Sequence, residues 1–127
     1  MKYWNELDST GLFNRIFTEP ISISVIDLIS INLDLYKSII TIHFDLSDTS
    51  CDMFFKQLVR NNTCRCTVTC NQVASIIIGG IPTKNVANIN IKNNEYNKLV
   101  SVDGGVFDIN FACSDIKLME PSLYTKH

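Results

Sequence analysis

The sequence has little of what usually identifies a binder of nucleic acid or a membrane protein. Its 127 residues include 11 basic and 13 acidic side chains, for a net charge of -2. Proteins that bind DNA or RNA usually carry a basic excess, so this balance argues against direct binding of nucleic acid. The densest apolar run, 76–78, is followed by two glycines. It is far shorter than the roughly 20 apolar residues of a membrane helix.

Motifs of known chemistry are also missing. The sequence holds no G-x-S-x-G, no P-loop and no G-x-G-x-x-G, so an enzyme is disfavoured. One of its two histidines, His43, follows Thr41 and precedes Asp45, and a hydrolase that uses it stays a minor alternative. Cys64, Cys66 and Cys70 have the spacing of strand alternation and not that of zinc-binding C-x₂-C pairs. We therefore expect no metal and no cofactor.

The N-terminus and the cysteines indicate the compartment. Glu6 and Asp8 precede any apolar run, which argues against a signal peptide. Five cysteines, an odd number, do not suit the disulfide framework of a secreted protein. We expect a cytoplasmic protein whose residues 1–127 form a single domain.

A short helix is predicted near the N-terminus. Ser9 can cap it, and Gly11 weakens its first turn. Pro20 ends the segment. The apolar positions recur with a helical period, at Leu12, Phe13, Ile16 and Phe17.

The rest of the chain follows a period of two, which is typical of strands with one buried and one polar face. The alternation slips near Ile26 and Asp27, and this slip indicates a β-bulge or a bend. Asp103-Gly104 between two extended runs predicts a hairpin. The polar tail from Pro121 is expected to fray. The predicted fold is mainly β (α+β), with an antiparallel sheet or two-layer β-sandwich of about seven or eight strands and a short N-terminal helix.

The polar face of the sheet is the most informative surface. One interpretation is a hydrated face, and the other is a surface that binds a protein. The side chains predicted to point away from the core are Thr41, His43, Asp45, Arg65, Thr67, Thr69, Asn88, Asn90, Asp108 and Asn110.

The order of these features resembles the immunity protein 50 family of bacterial toxin–immunity systems, which includes contact-dependent growth inhibition loci. The likeness spans most of the chain. It is carried by Trp4, Arg15-Ile16-Phe17, Pro20, the runs 28–34 and 39–46, Gly79-Gly80, the runs 99–102 and 107–113, and Tyr124.

The resemblance implies a small cytoplasmic antitoxin that binds the toxic C-terminal domain of a cognate effector. Binding would occlude the active site of the toxin or a surface that it needs. If the toxin is a nuclease, its surface is expected to be basic, and acidic residues here would steer association. The candidate contacts are Asp45, Asp48 and Asp52 in one cluster, and Glu95 and Asp103 in a second.

A different function is open on the same residues. The apolar strands could enclose a cavity, as in a small-ligand-binding β-barrel or β-sandwich. A core filled by side chains would argue against that alternative.

Overall fold

A computed structural model describes residues 2–8, 10–17, 19–47, 63–81, 85–119 and 121–124. The described part is mostly β, with one α-helix, α1 (Gly11–Ile16), and a 3-10 turn at Trp4–Glu6. The strands are β1 (Val25–Asp34), β2 (Ile39–Ser47), β3 (Thr63–Asn71), β4 (Ala74–Gly79), β5 (Val86–Asn93), β6 (Lys98–Asp103), β7 (Asp108–Cys113), β8 (Asp115–Leu118) and β9 (Ser122–Tyr124).

The helix is as short as Gly11 predicts, at six residues. Its N-cap position is Thr10, so the expected cap at Ser9 is wrong by one residue, and Ser9 itself lies outside the described residues. Phe13 in the helix and Phe17 directly after it are both buried, and their ring centroids lie 4.7 Å apart. The helix and its C-cap residue therefore cover the core with two aromatic rings.

The strands form one antiparallel sheet, which confirms the predicted fold class. The order along the sheet is β4-β7-β6-β5-β1-β2-β3-β8, and β9 also pairs with β3. Three of the neighbouring pairs, β1–β2, β5–β6 and β6–β7, are joined by short turns, because antiparallel strands need only a hairpin connection. Ser122–Tyr124 pair with Thr63–Arg65, so the expectation that the tail frays from Pro121 is wrong for this segment.

A bulge in β1 lets this strand bridge two parts of the sheet. Its first residues, Val25–Asp27, pair with β5, and the pairing with β2 runs from Asp27 to Asp34. The register shifts between Leu28 and Ser30. The predicted slip in the alternation is thus a β-bulge, placed two residues later than expected.

Two strand junctions form a corner that curls the sheet. β3 continues into β4 after Gln72 and Val73, and β7 continues into β8 after Ser114 alone. Since β3 pairs with β8 and β4 pairs with β7, the two segments make one bent antiparallel ribbon. Ser114 N donates to Asn71 O at 2.9 Å and fixes the bend. The ends of the strand order are therefore joined through the chain itself.

The inner face of the curled sheet is packed with apolar side chains. Buried residues of β1, β2, β3, β5, β6, β7 and β8 belong to one cluster, and Trp4 stacks on Phe44 with ring centroids 4.7 Å apart. Cys64, Cys66 and Cys70 are buried in this cluster, as strand alternation predicts. Across the described residues, the inner face is thus occupied by one continuous cluster of buried apolar side chains.

Candidate protein-binding surface

The outer face of β2 and β3 holds the polar residues that alternation predicts. Thr41 lies opposite Thr69, and His43 lies opposite Thr67. His43 Nδ1 is hydrogen-bonded to Thr67 Oγ1 at 2.9 Å, and Asn32 Nδ2 lies 3.5 Å from its Nε2. The imidazole thus contacts a hydroxyl and an amide, and neither of these is the carboxylate partner that acid–base chemistry would use.

The carboxylate of Asp45 is buried instead of facing solvent. Its residue is 1% exposed, and Arg65 donates to it twice, through Nε at 3.0 Å and through Nη2 at 3.3 Å. The side chain of Arg65 is 44% exposed. The prediction of Asp45 as a contact assumed an exposed carboxylate, and that assumption is wrong. A cross-strand arginine neutralises this acid within the fold.

Asp103 belongs to an acidic pair at one end of the sheet. It ends β6 and lies directly opposite Asp108, the first residue of β7, and both are exposed. Asp103 Oδ1 accepts a hydrogen bond from Gly105 N at 2.8 Å, which fixes the hairpin turn. Gly79 lies on the other side of Asp108, and a Cβ there would be 2.7 Å from Asp108 Oδ1. The missing side chain leaves room for the second carboxylate.

Asp108 is the site residue that sequence reasoning left out of its candidate contacts. The chain places it outward by alternation, but only the register of the β6–β7 hairpin sets it against Asp103. Like charges directly opposite each other on two strands destabilise the sheet. The five-residue spacing across an Asp-Gly turn was the signal that could have found the pair.

Glu95 does not join Asp103, although the two were expected to form one cluster. Glu95 lies in the β5–β6 turn, and Asp103 lies at the far end of β6. Six strand residues at about 3.3 Å each separate the two ends by roughly 20 Å. Asp48 and Asp52 lie outside the described residues.

A groove of about 370 Å³ lies beside the acidic pair on the outer face of β5, β6 and β7. Ser101 Oγ donates to Asn110 Oδ1 at 2.8 Å, and Asn110 Nδ2 donates to Asp108 Oδ2 at 3.0 Å. This row of hydrogen bonds connects the groove to the acids. Side chains that line the groove include Ser75, Asn90, Lys92, Leu99, Ser101, Asn110 and Ala112.

The sheet corner carries a pair of buried thiols. The hydrogen bond between Cys70 and Cys113 raises the pKa of the Cys70 thiol, and burial raises it further. The same hydrogen bond lowers the pKa of Cys113.

Among the described residues, no group of three or more His, Cys, Asp or Glu side chains is arranged to hold a metal ion. In the same part of the chain, no helix has the length and apolarity to cross a membrane.

Comparison with known proteins then identifies the family. The model of the immunity protein 50 family matches residues 10–124. The chain belongs to the immunity protein 50 family. Comparisons with curated proteins and with solved structures found no match.

Membership of the immunity protein 50 family indicates an immunity protein that acts against a toxin and binds it as a partner. It also suggests a role without catalysis. All five acidic residues predicted as contacts fall inside the matched range, whereas Trp4 lies before it. The matched range contains the nine strands of the described residues.

Proposed function

We propose that this immunity protein neutralises its toxin through the outer face of β5, β6 and β7, with Asp103 and Asp108 as the central contacts. Binding covers the active site of the toxin or a surface that the toxin needs for its activity. The observation that supports this most directly is the exposed carboxylate pair, Asp103 against Asp108, beside the groove.

The acidic pair suits a basic partner. Two carboxylates on adjacent strands repel each other in the free protein, and a lysine or arginine from a partner would relieve this repulsion. Toxins that cleave nucleic acid must attract phosphate groups, so their active sites are rich in positive charge. We therefore propose that the toxin is a nuclease, delivered between bacteria by contact-dependent growth inhibition and met in the cytoplasm.

The groove supplies the second element of the contact. Lys92 and Asn90 stand at its polar side, whereas Leu99 and Ala112 contribute apolar surface. A volume of about 370 Å³ is at the lower end of ligand pockets and can accept a large side chain of a partner. Because the groove is built on three paired strands, its shape exists before binding and needs little ordering.

The remaining candidate acids have different roles in this proposal. Asp45 contributes through the fold, since its carboxylate is bound to Arg65. Asp48 and Asp52 stay predicted contacts in the connection between β2 and β3. Glu95 is too far from Asp103 to act with it on one small patch.

Binding measurements with the toxin domain encoded beside this gene test the proposal. Asp103→Asn and Asp108→Asn keep the side-chain oxygens that accept from Gly105 and Asn110 while they remove the charge. We expect each to weaken binding by roughly 10-fold, mainly through a slower association that depends on salt. Glu95→Gln is the matched control and should leave the affinity unchanged.

Two failures are distinguishable in this experiment. If the wild-type protein does not bind the toxin domain, the proposal that this protein is the immunity partner of that toxin is wrong. If binding occurs but both substitutions leave its affinity and salt dependence unaltered, the function holds and the proposed surface is wrong.

A further inference from the structure

The two end strands of the sheet order differ in how their free edges are protected. β8 carries Asp115 and Lys117, and the N-terminal segment covers it through a bridge from Asp8 to Lys117 and a hydrogen bond from Leu118 N to Asp8 O at 2.9 Å. Charged residues and a covering segment are common protections of sheet edges. In the described part of the chain, β4 pairs only with β7.

The free edge of β4 is uncharged and apolar. Ile77 is 67% exposed and Ile78 is 59% exposed, and the nearby Ile81 is 80% exposed. A bulge between Ala74 and Ile77 distorts the first half of the strand. The second half is regular and presents backbone groups that only another strand can pair along their whole length.

We infer that the β4 edge joins a second copy of this chain, in an antiparallel pair related by a two-fold axis. A second copy is the partner that matches the edge by itself, because a two-fold axis places the same apolar strand on both sides. This proposal is independent of toxin binding. It also leaves the outer face of β5, β6 and β7 open on both copies.

Strand geometry selects the register of the pair. Residues that face each other across an antiparallel pair must lie on the same side of the sheet. Ile78 opposite Ile78 of the second copy meets this condition and avoids the bulge. In that register, Ile77 lies opposite Gly79 of the second copy, where no side chain obstructs it.

The charges of the two copies also permit this pair. On the neighbouring strand β7, the acid beside this edge strand is Asp108, which lies opposite Gly79. The two copies of Asp108 are separated by three inter-strand spacings across the sheet and by two residues along the strand direction. Together these place them about 16 Å apart. That distance exceeds the Debye length of about 8 Å at physiological salt, so their repulsion is largely screened.

The interface is small, so we expect a weak dimer. A pair formed by one short strand from each copy falls at the low end of interface sizes, where association is transient. Sedimentation equilibrium from micromolar to submillimolar protein should show a dimer fraction that rises with concentration. Amide exchange of the peptide covering Ala74–Gly79 should slow over the same range.

Ile78→Lys tests the edge directly. A charge at the two-fold axis would face its own copy, and we expect the dissociation constant of the dimer to rise at least 10-fold. Leu35→Lys is the matched control, because Leu35 is 79% exposed in the β1–β2 turn. This variant should dimerise like the wild type. Thermal unfolding at low concentration checks that Ile78→Lys is folded.

Three results would overturn the inference. The first is a wild-type protein that stays monomeric at the highest concentration. The second is a dimer that Ile78→Lys does not weaken although this variant is folded. The third is a monomeric wild-type protein whose toxin affinity falls with Ile78→Lys, because the edge would then receive a strand of the toxin.

Discussion

Replacing Arg65 by methionine should destabilise the fold by about 2–3 kcal/mol, between the values for exposed and buried ion pairs. The substitution keeps an apolar stem on β3 and removes the guanidinium that donates twice to Asp45. It leaves a carboxylate whose side chain is 0% exposed without this partner. Asp27 lies opposite Asp45 on β1, so two acids would then face each other without the cation.

The expected loss of stability follows from comparing the burial of Asp45 with the exposure of Arg65. Exposed ion pairs contribute about 0.2–1 kcal/mol, and removal of one partner from a fully buried pair costs about 3–5 kcal/mol. Asp45 is buried, but Arg65 is 44% exposed and partly screened by solvent. We therefore expect a value between these limits.

A double-mutant cycle separates the cost of a buried charge from the loss of a contact. Asp45→Asn removes the charge together with its repulsion from Asp27, so we expect it to cost less than Arg65→Met. The double variant should be more stable than Arg65→Met alone, since the buried group at position 45 is then a neutral amide.

Urea unfolding followed by the fluorescence of the single tryptophan gives these free energies. Trp4 is buried against Phe44 and reports loss of the core. The reasoning would be refuted if Arg65→Met cost less than about 1 kcal/mol, the ceiling for an exposed pair. A double variant less stable than Arg65→Met would refute it equally.

Further predictions concern the core, a turn and the thiols. Trp4→Ala should cost about 3–5 kcal/mol in urea unfolding followed by circular dichroism, because it removes a fully buried ring that stacks on Phe44. Gly80→Ala should cost more than 2 kcal/mol, an estimate for a strained backbone with an added clash, since Gly80 has a φ of 76° and its new Cβ would collide with Val106 O. Gly105→Ala, with a φ of 87° and open space around it, should cost only about 1–2 kcal/mol, and equal losses for the two would contradict this argument. A thiol reagent should modify at most one of the five cysteines in the folded protein and all five in denaturant, and rapid modification of a second thiol in the folded protein would contradict the burial of Cys64, Cys66, Cys70 and Cys113.

Strands such as β3 and β5 were predictable because one face of each is buried along the strand. Alternation in 64–70 and 87–91 marks which side chains enter the core, and this signal is local. The pairing partners are not local. The three residues Ser122–Tyr124 are held by β3, more than 50 residues earlier in the chain, so their composition alone indicated a loose tail.

The candidate site was predictable only where a hairpin is local. Asp103 and its turn follow from the Asp-Gly sequence, and the structure adds Asp108 through the register. The burial of Asp45 depends on Arg65, 20 residues away on the neighbouring strand, so charge and sequence position did not reveal it. Glu95 and Asp103 are only eight residues apart in sequence, yet a full strand separates them.

The corner of the sheet sets when this protein becomes able to protect. Asn71 and Asp115, which meet there, are 44 residues apart in the chain. At synthesis rates of about 5–20 residues per second, β3 waits roughly 2–9 s for β8 to leave the ribosome. During that interval β3 has a free edge and the ribbon cannot close. A newly made chain therefore closes this corner only after β8 has been synthesised, and protection of the cell begins after that moment.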